Sequence, residues 1–197
     1  MSLPPTLYLA STSPRRRELL SALGVKFEVV HVDVDETLLD GESPATMVVR
    51  LAAAKADAAD VDGLAIGADT AVVVGDEPLG KPLDQADALA MLAKLSGRSH
   101  KVLTGVALRG PGGTRTALST TDVYFREISR DEALAYWQSG EPHDKAGAYA
   151  IQGLGGAFVE HIEGSYSGVV GLPVIETVAL LDAAGFKVIE QQKSDDG

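Results

Sequence analysis

The segment STSPRRRELL places three arginines at the start of a predicted helix. Ser13 suits the N-cap and the proline after it suits the first helical position, so Arg15, Arg16 and Arg17 fall in the first turn. That turn is the positive end of the helix dipole, where each added cation destabilises the helix by about 0.3–1 kcal/mol. A bound phosphate would supply the missing negative charge, and guanidinium groups offer paired donors to its oxygens. Because successive helical residues point about 100° apart, we expect Arg15 and Arg16 to face the anion and Arg17 to face solvent.

Two lysines and two carboxylates are the next candidates for chemistry. Lys55 lies four residues after Leu51, on the apolar face of a predicted helix, so its ammonium points inward or along a cleft; alternatively its stem covers the core and its ammonium reaches water. Asp69 sits inside the apolar run AIGADTAVVV, where a charge must be paired or bound to a metal; alternatively it caps a neighbouring loop. Taken alone, Lys81 in GKP and Glu36 at the end of DVDE each match an ordinary charged residue on the surface better than a catalytic residue. As a set with the arginines, these residues match a polyphosphate with its divalent cation.

The overall charge argues that any anion site is local. The 197 residues carry 17 Lys and Arg against 28 Asp and Glu, a formal net charge of -11, which disfavours binding to a nucleic acid polymer or to an anionic membrane. No run approaches the roughly 20 apolar residues of a membrane span, and the first residues lack a signal-peptide pattern. The absence of cysteine excludes thiolate chemistry and disulfides and agrees with a cytoplasmic protein. A homodimer is compatible with the sequence, which does not define the oligomeric state.

Other motifs are weak. GLGGAF lacks the strand-first context of a dinucleotide site, and GPGG is a turn and not a P-loop. The four histidines show no metal-ligand spacing, and no G-x-S-x-G motif is present. These observations disfavour NAD-dependent, zinc-dependent and serine-hydrolase chemistry. Tyr136 and Trp137 follow a helical pattern that is typical of core or interface residues.

Short apolar runs alternate with capped helical patterns, which favours an α/β fold made of one domain or of two small lobes that share a core. The predicted strands are Leu7 to Ala10, FEVVHVDVDE, LAIGADTAVVV with a short return after its turn, the hairpin formed by HKVLTGVALR and TALSTTDVYF, and one strand after the glycine-rich stretch from Gly147 to Gly156. The predicted helices are the arginine helix ending near Gly24, one beginning at Ser43, one from about Asp84 to Ser96, one after the capping box of Ser129 and Glu132, and a last one starting at Pro173. The domain is expected to span residues 1–190, with a tail over 191–197.

In order along nearly the whole chain, a series of stretches resembles the Maf-type nucleoside triphosphate pyrophosphatase family, and specifically its branch that acts on dTTP and UTP. These stretches are LYLASTSPRRRELL, DVDE, RLAAAKA, GADT, GKP, KLSGRSHKVLTGV, DKAGAYAIQGLGG and EGSYSGVVGLP. The resemblance implies an elongated, mixed, twisted sheet flanked by helices, with two lobes and a central cleft, similar to the inosine triphosphate pyrophosphatases. It also implies hydrolysis between the α- and β-phosphates, with Mg²⁺ or Mn²⁺, to give the monophosphate and pyrophosphate and so remove pyrimidine or modified nucleotides.

The resemblance assigns roles position by position. Asp69 matches the proton acceptor of the family, whereas its phosphate and metal site is matched by Ser13, Arg15, Arg16, Glu36, Lys55 and Lys81. The positions associated with base preference are matched by Arg15, Thr70 and Gln152. Gly153, Gly155 and Gly156 either let the backbone approach the ligand or serve only the loop.

The chemistry suits these residue types, because attack of water on a polyanion needs charge neutralisation and a positioned base. A carboxylate among cations ordinarily has a lowered pKa, so Asp69 acts either as the base or mainly as a metal ligand. Glu36 is either the better metal ligand or shares the ion with Asp69.

Two other functions stay open at the level of sequence. One is a nucleotide-sensing regulator linked to cell division that works without turnover, and the other is a broad phosphatase that releases orthophosphate. The combination of Asp69, Glu36, Lys55 and Lys81 favours turnover, since a sensor needs no base.

Overall fold

The structure is a computed structural model, which describes residues 5–191 of the chain. Its strands are β1 (Leu7–Leu9), β2 (Glu28–Val29), β3 (Leu64–Val74), β4 (Glu77–Leu79), β5 (Ser99–Gly110), β6 (Gly113–Phe125) and β7 (Val159–Glu163). Its α-helices are α1 (Pro14–Ala22), α2 (Pro44–Ala58), α3 (Gln85–Leu95), α4 (Arg130–Gln138), α5 (Tyr166–Val170), α6 (Val174–Ala183) and α7 (Val188–Gln191). Three short 3₁₀ helices span Glu141–Asp144, Ala146–Ala148 and Leu154–Phe158. Apart from Gln191, which ends α7, the predicted tail lies outside the described residues.

The strands form one seven-stranded mixed sheet, and helices accompany it, so the predicted α/β class is confirmed. The strand order is β2-β1-β3-β5-β6-β7, and β4 pairs with β3 beside this path. β1 pairs in parallel with both β2 and β3, whereas β3 with β4 and β6 with β7 are antiparallel pairs. The 11-residue β3 is apolar except for Asp69 and Thr70, and most of its residues are buried, as expected of a strand covered on both faces.

The chain divides into two compact units. The first contains residues 1–69, 104–119 and 171–197, and the second contains residues 70–103 and 120–170. The core of the first unit joins side chains of β1, α1, the beginning of β3 and α6, with fully buried members that include Leu7, Leu20, Ile66 and Leu181. No helix among residues 5–191 is both long enough and apolar enough to cross a membrane.

The core of the second unit contains a buried histidine. His100 of β5 is 3% exposed, and its Nε2 lies 2.8 Å from the hydroxyl of Tyr149. The imidazole meets the ring of Phe125 edge-on at 4.8 Å. Burial lowers the pKa of His100 from 6.5 to about 4, a shift that the charge of Asp122 only partly opposes. The imidazole is therefore neutral at physiological pH.

Helix α2 packs directly on β3 because Gly67 has no side chain. A Cβ at position 67 would lie 2.6 Å from the backbone nitrogen of Ala56 and would also collide with the carbonyl oxygen of Ala52. Only glycine allows the helix backbone to approach this closely. The contact lies two residues before Asp69, and it brings the last turn of α2 against the strand that carries this carboxylate.

Sequence patterns predicted most elements, and the exceptions have local causes. Only two residues of FEVVHVDVDE, Glu28 and Val29, pair as a strand, with β1. Just after this stretch the backbone of Thr37 bonds to side chains: its nitrogen donates to Asp35 Oδ1 at 2.9 Å, and its carbonyl oxygen accepts from Arg50 at 3.1 Å. The helix near Pro173 is α6, and it is not the last one, since α7 follows. The short α5 and the 3₁₀ helices of the glycine-rich stretch were not predicted.

Candidate active site

The start of α1 has the unusual charge that the sequence indicates. Ser13 is the N-cap residue with extended backbone angles, its side chain makes no capping hydrogen bond, and the first turn contains no acidic residue. Arg17 is exposed, whereas Arg15 and Arg16 are half-buried. The predicted division into two inward arginines and one solvated arginine agrees with these exposures. The phosphate-binding roles of Ser13, Arg15 and Arg16 stay predictions.

Arg16 is held in place by the chain itself. Its Nε donates to the carbonyl oxygen of Gly171 at 2.8 Å, and its Nη1 donates to Ser11 Oγ at 3.3 Å. Burial lowers the pKa of Arg16 from 12.5, an effect that the negative charge of Asp69 partly opposes. Arg16 is thus a fixed cation within electrostatic reach of the Asp69 carboxylate.

Lys55 lies between the two predicted carboxylates. Its Nζ is 2.7 Å from Asp69 Oδ1 and 2.6 Å from Glu36 Oε1. The side chains of Lys55 and Asp69 are 13% and 14% exposed, whereas that of Glu36 is 60% exposed. The ammonium therefore points towards carboxylates, and neither a lysine that reaches bulk water nor an aspartate that only caps a loop describes this arrangement. Arg16, Glu36, Lys55 and Asp69 form the charged cluster of the first unit.

The pKa of Asp69 differs from the expectation. It is raised above the ordinary 3.8, because desolvation by burial outweighs the attraction and hydrogen bond of Lys55 and the charge of Arg16. The nearby charge of Glu36 raises it further. The expected lowering of this pKa by surrounding cations was wrong, since burial has the larger effect. A raised pKa makes Asp69 a stronger proton acceptor than an exposed aspartate.

The segment that carries Glu36 is anchored by an ion pair that the sequence analysis missed. Arg50 of α2 donates to both carboxylate oxygens of Glu42, at 2.6 and 2.7 Å, and the Glu42 side chain is only 5% exposed. A bidentate pair of this kind fixes orientation as well as distance. Arg50 and Lys55 are on the same helix, so α2 positions both the ammonium and the acidic segment that supplies Glu36.

The two carboxylates suit a divalent cation only in part. Residues 5–191 contain no cluster of three or more histidine or acidic side chains arranged to hold a metal ion. Mg²⁺ is commonly bound by one or two carboxylates together with substrate phosphates. Asp69 and Glu36 therefore fit an ion whose remaining ligands are water and phosphate oxygens, and they do not form a closed protein site.

Three predicted site residues belong to the second unit. Thr70 is half-buried on β3 and directly follows Asp69, Lys81 is exposed two residues after β4, and Gln152 is exposed in the glycine-rich stretch. The carbonyl oxygen of Gly80, next to Lys81, accepts a hydrogen bond from the backbone nitrogen of Gly147 at 3.0 Å. The substrate-binding roles of these three residues stay predictions.

The segment around Gln152 is held by two side chains that sequence reasoning did not assign to the site. The Tyr136 hydroxyl donates to Glu141 Oε1 at 2.6 Å, and it accepts from the backbone nitrogen of Ala150 at 3.1 Å. Tyr136 is buried, as its helical pattern indicated. The only signal for this arrangement in the sequence was the glycine content of the segment, which indicates close approach of other groups to its backbone.

Comparison with known proteins agrees with the resemblance. The model of the Maf-like protein family matches residues 6–184. A dTTP/UTP pyrophosphatase of Hahella chejuensis is 51% identical, with 92% of this chain and 94% of that protein covered. The dTTP/UTP pyrophosphatases of Saccharophagus degradans and Vibrio cholerae are each 54% identical, over 90% and 89% of this chain and 88% and 96% of theirs. Among solved structures, the Staphylococcus aureus Ham1 protein is 18% identical with a TM-score of 0.44, over 61% of this chain and 71% of that one. The chain belongs to the Maf-like protein family.

Proposed function

We propose that this protein is a nucleoside triphosphate pyrophosphatase that hydrolyses dTTP and UTP to the monophosphate and pyrophosphate. The observation that carries the proposal is the charged cluster, in which Lys55 bridges Asp69 and Glu36. The names of relatives about half identical over most of the chain support the choice of reaction and substrates. A cluster that combines a basic carboxylate with fixed cations suits water attack on a polyanion.

In this proposal Asp69 orients the attacking water and accepts its proton at a carboxylate oxygen. Its raised pKa favours proton uptake, while Lys55 keeps the ionised form accessible by donating to Oδ1. Lys55, Arg16 and Arg15 neutralise charge on the phosphate oxygens as the bond between the α- and β-phosphates breaks. Because Arg16 is already anchored to Gly171, little of its side-chain freedom is lost when substrate binds.

A divalent cation, Mg²⁺ or Mn²⁺, belongs to the proposal, with Asp69 and Glu36 as the side chains that would hold it. When bound, such an ion supplies Lewis acidity and neutralises phosphate charge. The Glu36 side chain is 60% exposed and therefore accessible to a hydrated ion, whereas the Asp69 side chain is only 14% exposed. We therefore assign proton acceptance to Asp69 and the larger share of ion binding to Glu36.

Base preference is assigned to Arg15, Thr70 and Gln152. The amide of Gln152 is able to pair with N3–H and O4 of uracil or thymine, and the Thr70 hydroxyl offers a further contact. An amide that rotates freely also suits cytosine, and guanine presents a comparable donor and acceptor pair. Pocket size must therefore exclude purines, and the orientation of Gln152 must be fixed if cytosine is rejected.

Product analysis tests the proposal. The protein is incubated with dTTP, UTP, CTP, GTP, ATP and a 7-methylguanosine triphosphate in the presence of Mg²⁺ or Mn²⁺, and the products are identified. We expect monophosphate and pyrophosphate, with the highest kcat/KM for dTTP and UTP. Orthophosphate as the main product would indicate a broad phosphatase, and binding without turnover would indicate a nucleotide sensor. A purine as the best substrate would contradict the assignment of base preference.

A cytoplasmic location is part of the proposal, in keeping with a nucleotide substrate and with a chain that has no cysteine. The net charge of -11 supports the expectation that no nucleic acid polymer is bound. The homodimer is testable by light scattering of the purified protein, with and without nucleotide.

A further inference from the structure

The loop around Gln152 is held on both sides by one pair of side chains, Tyr136 and Glu141. Before Gln152, the backbone nitrogen of Ala150 donates to the Tyr136 hydroxyl at 3.1 Å. After it, the backbone nitrogens of Leu154 and Gly155 donate to the two Glu141 carboxylate oxygens at 2.9 and 3.0 Å. Tyr136 and Glu141 are themselves joined by a hydrogen bond of 2.6 Å. We call this pair the loop clamp.

The loop clamp requires glycine at the point where it grips the chain. A Cβ at position 153 would collide with Glu141 Oε2 and would lie 2.5 Å from its Cδ. A Cβ at position 155 would lie 2.6 Å from the Tyr136 hydroxyl oxygen. These two glycines thus allow the clamp side chains to reach the loop backbone, whatever contact they also make with a ligand.

Glu141 is ionised in this setting at neutral pH. Burial acts to raise its pKa, but hydrogen bonds from Tyr136, Gly155 and Leu154, with the charge of Lys145, leave the pKa below the ordinary 4.5. An ionised carboxylate is able to accept all three of these hydrogen bonds at once, whereas an amide in its place has only one acceptor oxygen. Replacement of Glu141 by glutamine therefore breaks the clamp while it keeps the size of the side chain.

The clamp fixes the backbone of the loop and leaves the Gln152 side chain unengaged. Gln152 is exposed, and within residues 5–191 its side chain has no hydrogen-bond partner. Uracil and cytosine present exchanged donor and acceptor groups, so one amide distinguishes them only when both its position and its orientation at the base are restricted. A rigid backbone on both sides of Gln152 limits the positions that its amide reaches and, because side-chain rotamers depend on the backbone angles, also the orientations in which it meets the base.

We propose that Glu141 is a specificity-positioning residue, which acts through Tyr136 and the backbone of residues 150–155 to place Gln152 against the pyrimidine base. The inference rests on the proposed function and deepens it. Glu141 does not touch the reacting phosphates in this proposal. Its loss therefore weakens recognition of the base and leaves the phosphate chemistry of Asp69 and Lys55 intact.

The test compares Glu141→Gln, Tyr136→Phe and Gln152→Ala, with Glu132→Gln as the matched control. Glu132 is also a glutamate, four residues before Tyr136 as Glu141 is five after it, but its carboxylate caps α4 and binds Arg126. The measured quantity is the ratio of kcat/KM for UTP to that for CTP. We expect Glu141→Gln and Tyr136→Phe to lower this ratio about tenfold, mainly through KM for UTP, and Glu132→Gln to preserve it. Inhibition by inorganic tripolyphosphate, which has no base, should be unchanged.

A double variant shows whether the effect passes through Gln152. If it does, Glu141→Gln lowers the selectivity ratio no further in a Gln152→Ala background. A further loss of selectivity in the double variant, or an equal loss of kcat/KM for UTP and CTP in the single variant, would overturn the inference. The same ratios are measured as dissociation constants in an Asp69→Asn background. If the protein with an intact clamp binds UTP more tightly than CTP but shows no turnover, the proposed reaction is contradicted, and the binding ratios of the clamp variants still decide the role of Glu141. If that protein does not prefer UTP, both the proposed base preference and the role of Glu141 are overturned.

Discussion

The Lys55 ammonium lies 2.7 Å from Asp69 Oδ1, although the two residues come from different elements and are 14 positions apart in the chain. The contact exists because α2 packs against β3 at Gly67. Lys55 lowers the pKa of an aspartate that burial raises. The pair therefore combines two properties that oppose each other in an isolated carboxylate, namely a high proton affinity and an accessible ionised form.

Asp69→Asn should abolish most pyrophosphate release and leave the protein folded. The substitution removes the proton acceptor and keeps the shape of the side chain, so we expect a loss of about 10²–10⁴-fold in kcat. A variant whose rate lies within a few-fold of the wild type would remove Asp69 from the proton transfer. Circular dichroism supplies the control for folding.

The same variant should be more stable than the wild type at neutral pH. Because folding raises the pKa of Asp69, the folded state holds the proton of this carboxyl more tightly than the unfolded state does. Its contribution to the free energy of unfolding is therefore present at low pH and is lost as the pH rises through the folded-state pKa. Asparagine stays neutral and avoids this loss. Thermal melts should show a higher Tm for Asp69→Asn at pH 7, and the difference should shrink as the pH falls towards 3.8, the ordinary aspartate value. A lower Tm at pH 7 would contradict the direction of the shift.

Arg16→Ala and Arg17→Ala should differ in two measurements. Arg16 makes charged hydrogen bonds to Gly171 and Ser11, so its removal should cost about 1.5–3 kcal/mol of unfolding free energy without nucleotide. Arg16→Ala should also weaken UTP binding by about tenfold or more. Arg17 is exposed, and its alanine variant should change neither quantity appreciably. Calorimetric titration and urea unfolding measure both effects, and equal results for the two variants would contradict the geometry of α1.

The buried histidine should make the protein sensitive to acid. His100 has a pKa of about 4 when folded and about 6.5 when unfolded, so the unfolded chain binds the additional proton first as the pH falls. The contribution of His100 is fully present above pH 6.5 and is lost between 6.5 and 4, with a total of about 3 kcal/mol. Its Nδ1 has no hydrogen-bond partner within the described residues, so a charged ring would be poorly satisfied. Urea unfolding from pH 7 to 4 should show a smaller loss for His100→Gln than for the wild type, and parallel curves would contradict the assignment.

Gly67→Ala should damage both stability and the charged cluster. The added Cβ would lie 2.6 Å from the Ala56 backbone nitrogen, so α2 must shift away from β3, at a cost of about 1–3 kcal/mol or more. Gly112→Ala is the control, because a Cβ at position 112 meets no atom within 4 Å. We expect a lower Tm and reduced kcat for Gly67→Ala alone. Equal melting temperatures for the two variants would show that the helix tolerates the methyl group.

Local signals explain what was predictable from the sequence. The starts of α2 and α4 were predicted from the serine and proline at positions 43 and 44 and from the capping box of Ser129 and Glu132, and both predictions are confirmed, since Ser43 and Ser129 accept hydrogen bonds within their own first turns. The apolar run of β3 and the hairpin of β5 and β6 were equally clear, since strand pattern and turn residues lie close together in the chain. The same reasoning gave an inward Lys55 and a paired Asp69 as one of two alternatives for each residue, and their contact at 2.7 Å distinguishes between them.

Interactions between distant segments explain what was missed. Arg50 of α2 binds the carbonyl oxygen of Thr37 and the carboxylate of Glu42 in the segment after β2, and no local pattern indicates these contacts. The pKa of Asp69 is shifted in the opposite direction to the expectation, because the shift depends on burial by other parts of the chain. Glu141 was overlooked for the same reason, since its contact with Gly155 exists only when the chain is folded.

The way in which Tyr136 and Glu141 grip the loop bears on how new substrate preferences arise. Every hydrogen bond from this pair to the loop is made to a backbone nitrogen, and none involves the side chain at position 152. A mutation at that position consequently leaves the support of the loop unchanged and alters only the group presented to solvent. Under the role proposed for Gln152, a single codon change at position 152 is therefore enough to alter nucleotide preference while the scaffold stays the same.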